Sequence, residues 1–317
     1  MRYSKSILSV ICLFALAFIV TNCRKDNSAK SPKELLTQEL TGEINSDSLK
    51  SLVTWFQDMG TRFALSDSRR NVALKIKNRF IRLGYVDTKL DSFQISKLWN
   101  GQTYQQWQYN VIATLLGTIH PDSVSIVGGH YDDILNTGYP FISAPGANDN
   151  ASGISAAIEI ARVVKKKNWI PESTIKFIAF GSEELGLFGS RAYAAKALQN
   201  NEKIKIMLNN DMIAYEPSDD KSSWIVNLID YDNSHDLRIL AQEMCTKYTS
   251  LKYTNINTYN SQSDSYPFSL NGYKALFFFS NVMDPNYHTL NDLASNCNFG
   301  YCAEIVKVSC ALLVNRD

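Results

Sequence analysis

Residues 46–317 predict an α/β fold, a three-layer α/β/α sandwich around a central mixed, largely parallel sheet. Short apolar runs rich in β-branched residues alternate with segments of helical periodicity, which is the pattern of parallel strands covered on both faces. The runs stop at Gly or Pro, where backbone must turn or approach closely. With 317 residues, 45% hydrophobic and 11% aromatic, the chain can fill a large core, and no internal repeat or second boundary divides it.

The first segment stands apart. Arg2 and Lys5 precede a mostly apolar run from Ile7 to Val20, too short for the ~20 residues of a membrane span and suited to a secretory leader. Residues 1–22 are expected to be that leader, ending V-T-N-C in the manner of a bacterial lipobox, with Cys23 as the lipidated first residue of the mature chain. The polar RKDNSAKSPKE then reads as tether, with a first polar helix before residue 45. The expectation is an exported protein, lipid-anchored to a bacterial membrane and facing periplasm or cell surface; plain secretion is the alternative. In such a compartment Cys245, Cys297, Cys302 and Cys310 could pair, with Cys297 and Cys302 nearest in sequence.

Helical spacing runs from Ser46 to Gly60 and from Ser68 to Gly84. YVDTKLDSFQIS and QWQYNVIATLLG alternate as strands do, and Tyr104, Trp107 and Tyr109 read as sheet-edge packing. His120 falls in a turn before Pro121. SVSIVGG is a buried strand, followed past a loop by DNASGISAAIEIARVVKKK, a helix closed by three lysines that suit its dipole. STIKFIAF, KIKIMLNND, SSWIVNLID and ALFFFS are further strands. LGLFGSRAYAAKALQN and SHDLRILAQEMCTKY are helices, and YCAEIVKVSCALLV closes the chain as an amphipathic helix.

The balance of 32 basic and 31 acidic residues gives no strong field, so neither nucleic acid nor an anionic surface is implied as partner. The chemistry gathers instead at strand ends. His130 ends one strand, Glu183 and Glu184 follow another, Asp211 follows a third, and Tyr287-His288-Thr289 with Asp292 follow the last. Open α/β sheets bind ligands at this edge. Taken singly, His130 reads as a structural histidine and Asp149 as a helix cap. Together with only four His in the chain, the set offers the two His and three acids, with a fourth acid adjacent, that two metal ions sharing a carboxylate require. No Cys-x-x-Cys competes for zinc.

HYD at 130–132, GANDNASG at 146–153, GSEELGLFGS at 181–190, NND at 209–211, SDSYPF at 263–268 and YHT at 287–289, in this order, resemble the co-catalytic two-zinc aminopeptidases, a group that includes glutamate carboxypeptidases and glutaminyl cyclases. The resemblance covers about residues 105–315. It implies a zinc-peptidase, phosphorylase/hydrolase-like fold and two Zn2+ per chain. His130 and Asp211 would hold one ion, Glu184 and His288 the other, and Asp149 would bridge. Glu183 would be the general base for a zinc-activated water, Asp132 the orienting partner of His130, and the Asp149-Asn150 peptide cis. Peptides with a free N-terminus are the implied substrates. A glutaminyl-peptide cyclotransferase and a non-catalytic peptide-binding lipoprotein are the alternatives; the absence of a basic cluster speaks against a carboxypeptidase. Manganese or cobalt could serve in place of zinc. Two departures, Ser263-Asp264-Ser265 for Ser-Asp-His and Gly272-Tyr273-Lys274-Ala275 for Gly-x-Pro-Ala, are expected on the substrate rim, and Tyr139 and Phe141 could line an apolar pocket.

Overall fold

Asn100 and Gly101 both take left-handed φ, 47° and 81°, and turn the chain between two long antiparallel strands, β1 (Thr88–Trp99) and β2 (Gln102–Leu115). Two such residues match the right-handed twist of a tight hairpin, for which Asn-Gly is the favoured sequence. This hairpin opens a mixed sheet in the computed structural model, which describes residues 29–317. The expected leader, residues 1–22, and Cys23 lie outside the described residues.

The remaining strands are β3 (His120–His130), β4 (Ser173–Phe180), β5 (Lys203–Asn210), β6 (Ile225–Ile229), β7 (Lys252–Thr254) and β8 (Ala275–Ser280). Their order is β1-β2-β4-β3-β5-β8-β6-β7, with β4, β3, β5 and β8 mutually parallel and the β1/β2, β2/β4 and β8/β6 pairs antiparallel. The expected three-layer α/β fold is therefore present, its parallel part made of the four central strands and the short β6/β7 pair at one edge. Sequence reasoning passed over β7, too short to show periodicity.

The helices are α1 (Pro32–Gly42), α2 (Ser46–Gln57), α3 (Arg69–Arg82), α4 (Ser152–Lys166), α5 (Phe188–Gln199), α6 (His235–Tyr248), the short α7 (Ser265–Leu270) and α8 (Phe299–Arg316). One sheet face carries the larger core, where Val111, Val127, Phe177, Leu208 and Phe278 meet α1–α4, α6 and α8. The other face, with Ile126, Ile178 and Met207, is covered by α5 and α7. Each fully buried Leu, Ile, Val or Phe contributes roughly 1.5–3 kcal/mol relative to exposure.

Three expectations are corrected. α1 belongs to the compact unit Pro32–Asp317, its Leu40 buried in the main core, so the folded part includes residues before 46 that were expected to be tether and a polar helix. α8 is not amphipathic: it is buried almost all round from Tyr301 to Val314, because it packs between the sheet and helices α1, α2 and α6. Cys245, Cys297, Cys302 and Cys310 are free thiols. Burial pushes Cys245 and Cys310 up to about 12, which keeps them unreactive.

Candidate metal centre

The parallel order β4-β3-β5-β8 sets four carboxyl ends side by side. From β3 the chain crosses outward to β4 and then returns to β5 on the other flank, so the loops diverge at the end of β3. His130 is the last residue of β3, Asp211 directly follows β5, Glu183 and Glu184 lie in the turn after β4, and His288 lies in the loop after β8.

Asp149 stands between the two imidazoles. Its Oδ1 is 3.2 Å from His130 Nε2 and its Oδ2 3.0 Å from His288 Nε2. Asp211 Oδ1 is 3.4 Å from His130 Nε2, and Glu184 Oε2 is 2.9 Å from His288 Nε2. Donor atoms of His130, Asp149 and Asp211 lie within 4.8 Å of one another, as do those of Asp149, Glu184 and His288; a third group joins His130 to Glu183 and Glu184. Ligand atoms on a tetrahedral zinc with bonds of about 2.0–2.1 Å stand about 3.3 Å apart, so the spacing fits. His288 Nε2, Glu184 Oε1 and Asp211 Oδ1 are buried with no hydrogen-bond partner, as a donor set turned toward a cation would be.

Backbone packing explains the placement. A Cβ on Gly153 would stand 1.9 Å from the Asn210 carbonyl oxygen, so only glycine lets the start of α4 close on the end of β5. Asn150 locks that approach: its Nδ2 donates to the Asn210 carbonyl (3.0 Å) and its Oδ1 accepts from Gly153 N (2.8 Å). The Asp149-Asn150 peptide is cis. Asp149 has non-helical backbone angles and lies in the irregular turn before α4, so it caps nothing. Its main-chain N–H donates to Asp292 Oδ2 (3.0 Å), and the N–H of Asn148 to Oδ1 (2.7 Å). Ser182, Met212 and His288 all take left-handed φ near 50–60°, a clustering of strained residues that functional sites show.

The charges are strongly coupled. Burial alone would raise Asp149, but the imidazoles on both sides hold it below the usual carboxylate range. Glu184 is pushed up to about 8 by burial and by the Asp149 charge, and Glu183 well above its ordinary value by burial, with Glu184, Asp264 and Asp211 adding to the effect against His130. Burial opposes the charging of His288, yet Asp149 and Glu184 outweigh it and raise it to about 10. Five acids crowded around two imidazoles in this way can all be anions together only if further positive charge joins them.

Several expectations need amendment. Asp132 does not orient His130 with its carboxylate, which is 3.8 Å away; the main-chain carbonyl of Asp132 faces His130 Nδ1 at 3.1 Å. The carboxylate accepts instead from the N–H groups of Glu183 (3.0 Å) and Glu184 (3.2 Å), and so holds the turn that carries both acids. Ser263 and Asp264 are fully buried rather than on a rim: Ser263 Oγ donates to Asp211 Oδ2 (2.5 Å) and accepts from Asn209 Nδ2. Gly272–Ala275 enters the start of β8, at the opposite edge of the sheet from the acids. Tyr139 is exposed and Phe141 packs on Phe63 and Tyr104; neither lines the cleft.

The cleft above the acids, about 490 Å³ with its open mouth, takes its apolar wall from Met212, Tyr259, Phe277, Phe279 and Met283. Tyr287 also lines it, with its ring stacked on His288 at 3.6 Å. Sequence reasoning assigned no role to these residues; the alternation of Phe277 and Phe279 along β8, both facing one side, was the available signal. It also missed Arg62, a fully buried guanidinium that donates to the carbonyls of Tyr131, Pro145 and Gly146 and pairs with Asp133, tying together the two ends of the segment between His130 and Asp149.

A model of peptidase family M28 matches residues 110–313. Leucine aminopeptidase 1 of Ajellomyces capsulatus is 24% identical over 294 residues, 87% of this chain and 72% of the relative. Two solved structures share the fold. A zinc aminopeptidase from Bacillus subtilis superposes with a TM-score of 0.70 at 19% identity, over 86% of this chain and 95% of that one. A glutaminyl cyclase from an Acidobacteriales bacterium does so with a TM-score of 0.67 at 20% identity, over the same shares.

Proposed function

Because the chain belongs to peptidase family M28, we propose that it is a zinc-dependent aminopeptidase that removes apolar N-terminal residues from peptides. The observation that carries this reading is Asp149 set between His130 and His288, with one further carboxylate beside each imidazole. His130, Asp149 and Asp211 would hold one ion, and Asp149, Glu184 and His288 a second. Zinc held there supplies Lewis acidity, lowering the pKa of water toward ~7 and polarising a carbonyl.

Glu183 lies beyond both triads, its Oε2 3.9 Å from His130 Nε2. A carboxylate so placed takes the proton of the attacking water and passes it to the nitrogen of the leaving amine. Burial and nearby acids hold the Tyr287 phenol far above its ordinary value, so it remains an O–H donor beside His288 for charge developing on the carbonyl oxygen. The wall of Met212, Phe277, Phe279 and Met283 would accept an apolar first side chain, in keeping with the name of the Ajellomyces relative. A protonated α-amine is drawn to the surrounding acids, which favours cleavage at a free N-terminus.

The test is incubation of the full chain with zinc and unblocked peptides beginning with Leu, Ala or Gln, read by mass spectrometry. Stepwise loss of the first residue, fastest for Leu, is expected. Loss of ammonia alone from the Gln peptide would make the protein a cyclase, and no change with zinc bound would leave a peptide-binding protein. The leader pattern further supports export and lipid anchoring at Cys23; retention of a Cys23→Ser variant in the membrane fraction would overturn that part.

A further inference from the structure

We propose that Asn136 is a positioning residue that fixes the ring of His288, and so ties the segment 134–145 to the second triad; the inference rests on the zinc reading above. The two histidines are held in different ways. His130 ends a strand, and its Nδ1 faces the main-chain carbonyl of Asp132, an acceptor no substitution removes. His288 sits in a loop with left-handed φ of 56°, where neither helix nor strand holds the backbone. Asn136 supplies the missing support twice. Its main-chain N–H donates to the His288 carbonyl (2.9 Å), and its Oδ1 lies 3.3 Å from His288 Nδ1.

A carboxamide oxygen only accepts, so this contact places the ring proton on Nδ1. Once His288 gives up its second proton to bind a metal, Nε2, which stands 3.0 and 2.9 Å from Asp149 and Glu184, would be the nitrogen left free to ligate. Without the acceptor, the neutral ring could instead keep its proton on Nε2, bonded to those carboxylates and competing with a metal for the same place. Stacking on Tyr287 limits tilt of the ring but does not choose between its nitrogens. Asn136 is itself fixed from both sides. Upstream, Asp133 is anchored by Arg62; downstream, Phe141 packs on Phe63 with ring centroids 4.9 Å apart.

The test is competition for zinc between the full-length chain and a chromophoric chelator, with no substrate present, on wild type, Asn136→Ala and Asn136→Asp. Wild type is expected to bind two ions. Asn136→Ala should weaken one of them roughly 10–100-fold and spare the other, the size usual for loss of a ligand's orienting partner. Asn136→Asp keeps an acceptor oxygen and should bind at least as tightly as wild type. Melting of the metal-free proteins accompanies the titration: if Asn136→Ala is destabilised, the Asp variant decides. Equal binding by wild type and Asn136→Ala, or Asp binding as weakly as Ala, would overturn the role of Asn136 while leaving the zinc reading intact. Absence of zinc from wild type would overturn both.

Discussion

Adjacent residues with the same side chain stand in different surroundings here, and on the proposed reading those neighbours set their roles. Glu184 reaches His288 and Asp149, whereas Glu183 lies beyond both triads over the cleft. Glu183→Gln keeps the volume and the hydrogen bond that Glu183 N makes to Asp132, but would remove the proposed base. The expected outcome is a fall in kcat of roughly 10²–10⁴ with zinc content unchanged, measured by steady-state kinetics alongside metal analysis. Equal loss of zinc would exchange the roles of the two glutamates. The placement of these residues was readable from residue types at strand ends. Asp132 shows the limit: His-x-Asp places the pair in sequence, but along a strand end residues two apart share a face, and only the fold shows the carboxylate turned to the Glu183 and Glu184 N–H groups.

At the scale of elements, the site is a by-product of close packing between α4, β3 and β5. Gly153 is the position where this packing has no slack, since any Cβ meets the Asn210 carbonyl at 1.9 Å. Gly153→Ala must push α4 from β5 and carry Asp149 with it. A loss of about 1–3 kcal/mol in denaturant unfolding is expected, with zinc affinity falling in parallel. Wild-type stability and zinc binding in this variant would show that the helix start is free to move. The long strands and helices were legible because apolar period and glycine stops coincide. α7 and β7 were not, because elements of six and three residues carry no period to read. The edge role of β1 was written in Asn100-Gly101, a hairpin signal stronger than the alternation around it. Ser263 and Asp264 looked like rim residues because their loop is polar; burial against Asp211 depends on α7, which the sequence did not reveal.

For the whole molecule, the site is a store of protons, some of which a bound zinc would displace. In the metal-free protein Glu184 is raised to about 8, Asp133, Asp264 and Asp292 to about 7, and His288 to about 10. The raised acids keep protons that the unfolded chain releases above about pH 4, and the raised histidine keeps one that the unfolded chain releases above about pH 6.5. In both cases the folded state binds more protons, so its stability falls as pH rises through that range. Asp149 acts in the opposite sense, but only below the ordinary carboxylate range. Zinc bound by Glu184 and His288 would take the place of the protons those two groups keep, and at ~100 times Kd each bound ion would add roughly 2.7 kcal/mol. The Tm of the metal-free protein should therefore drop between roughly pH 5.5 and 8, while the increment produced by zinc grows. Calorimetry showing an increment that is flat or shrinking with pH would contradict this linkage.

The central claim is that Asp149 joins two ions and leaves Glu183 free. Anomalous diffraction at the zinc edge from crystals of the zinc-loaded protein tests it most directly. Two peaks flanking Asp149 are predicted, one held by His130 and Asp211 and the other by Glu184 and His288, with Glu183 bound to neither. A single peak held by His130, Glu183 and Glu184, the third arrangement the side chains permit, would contradict it.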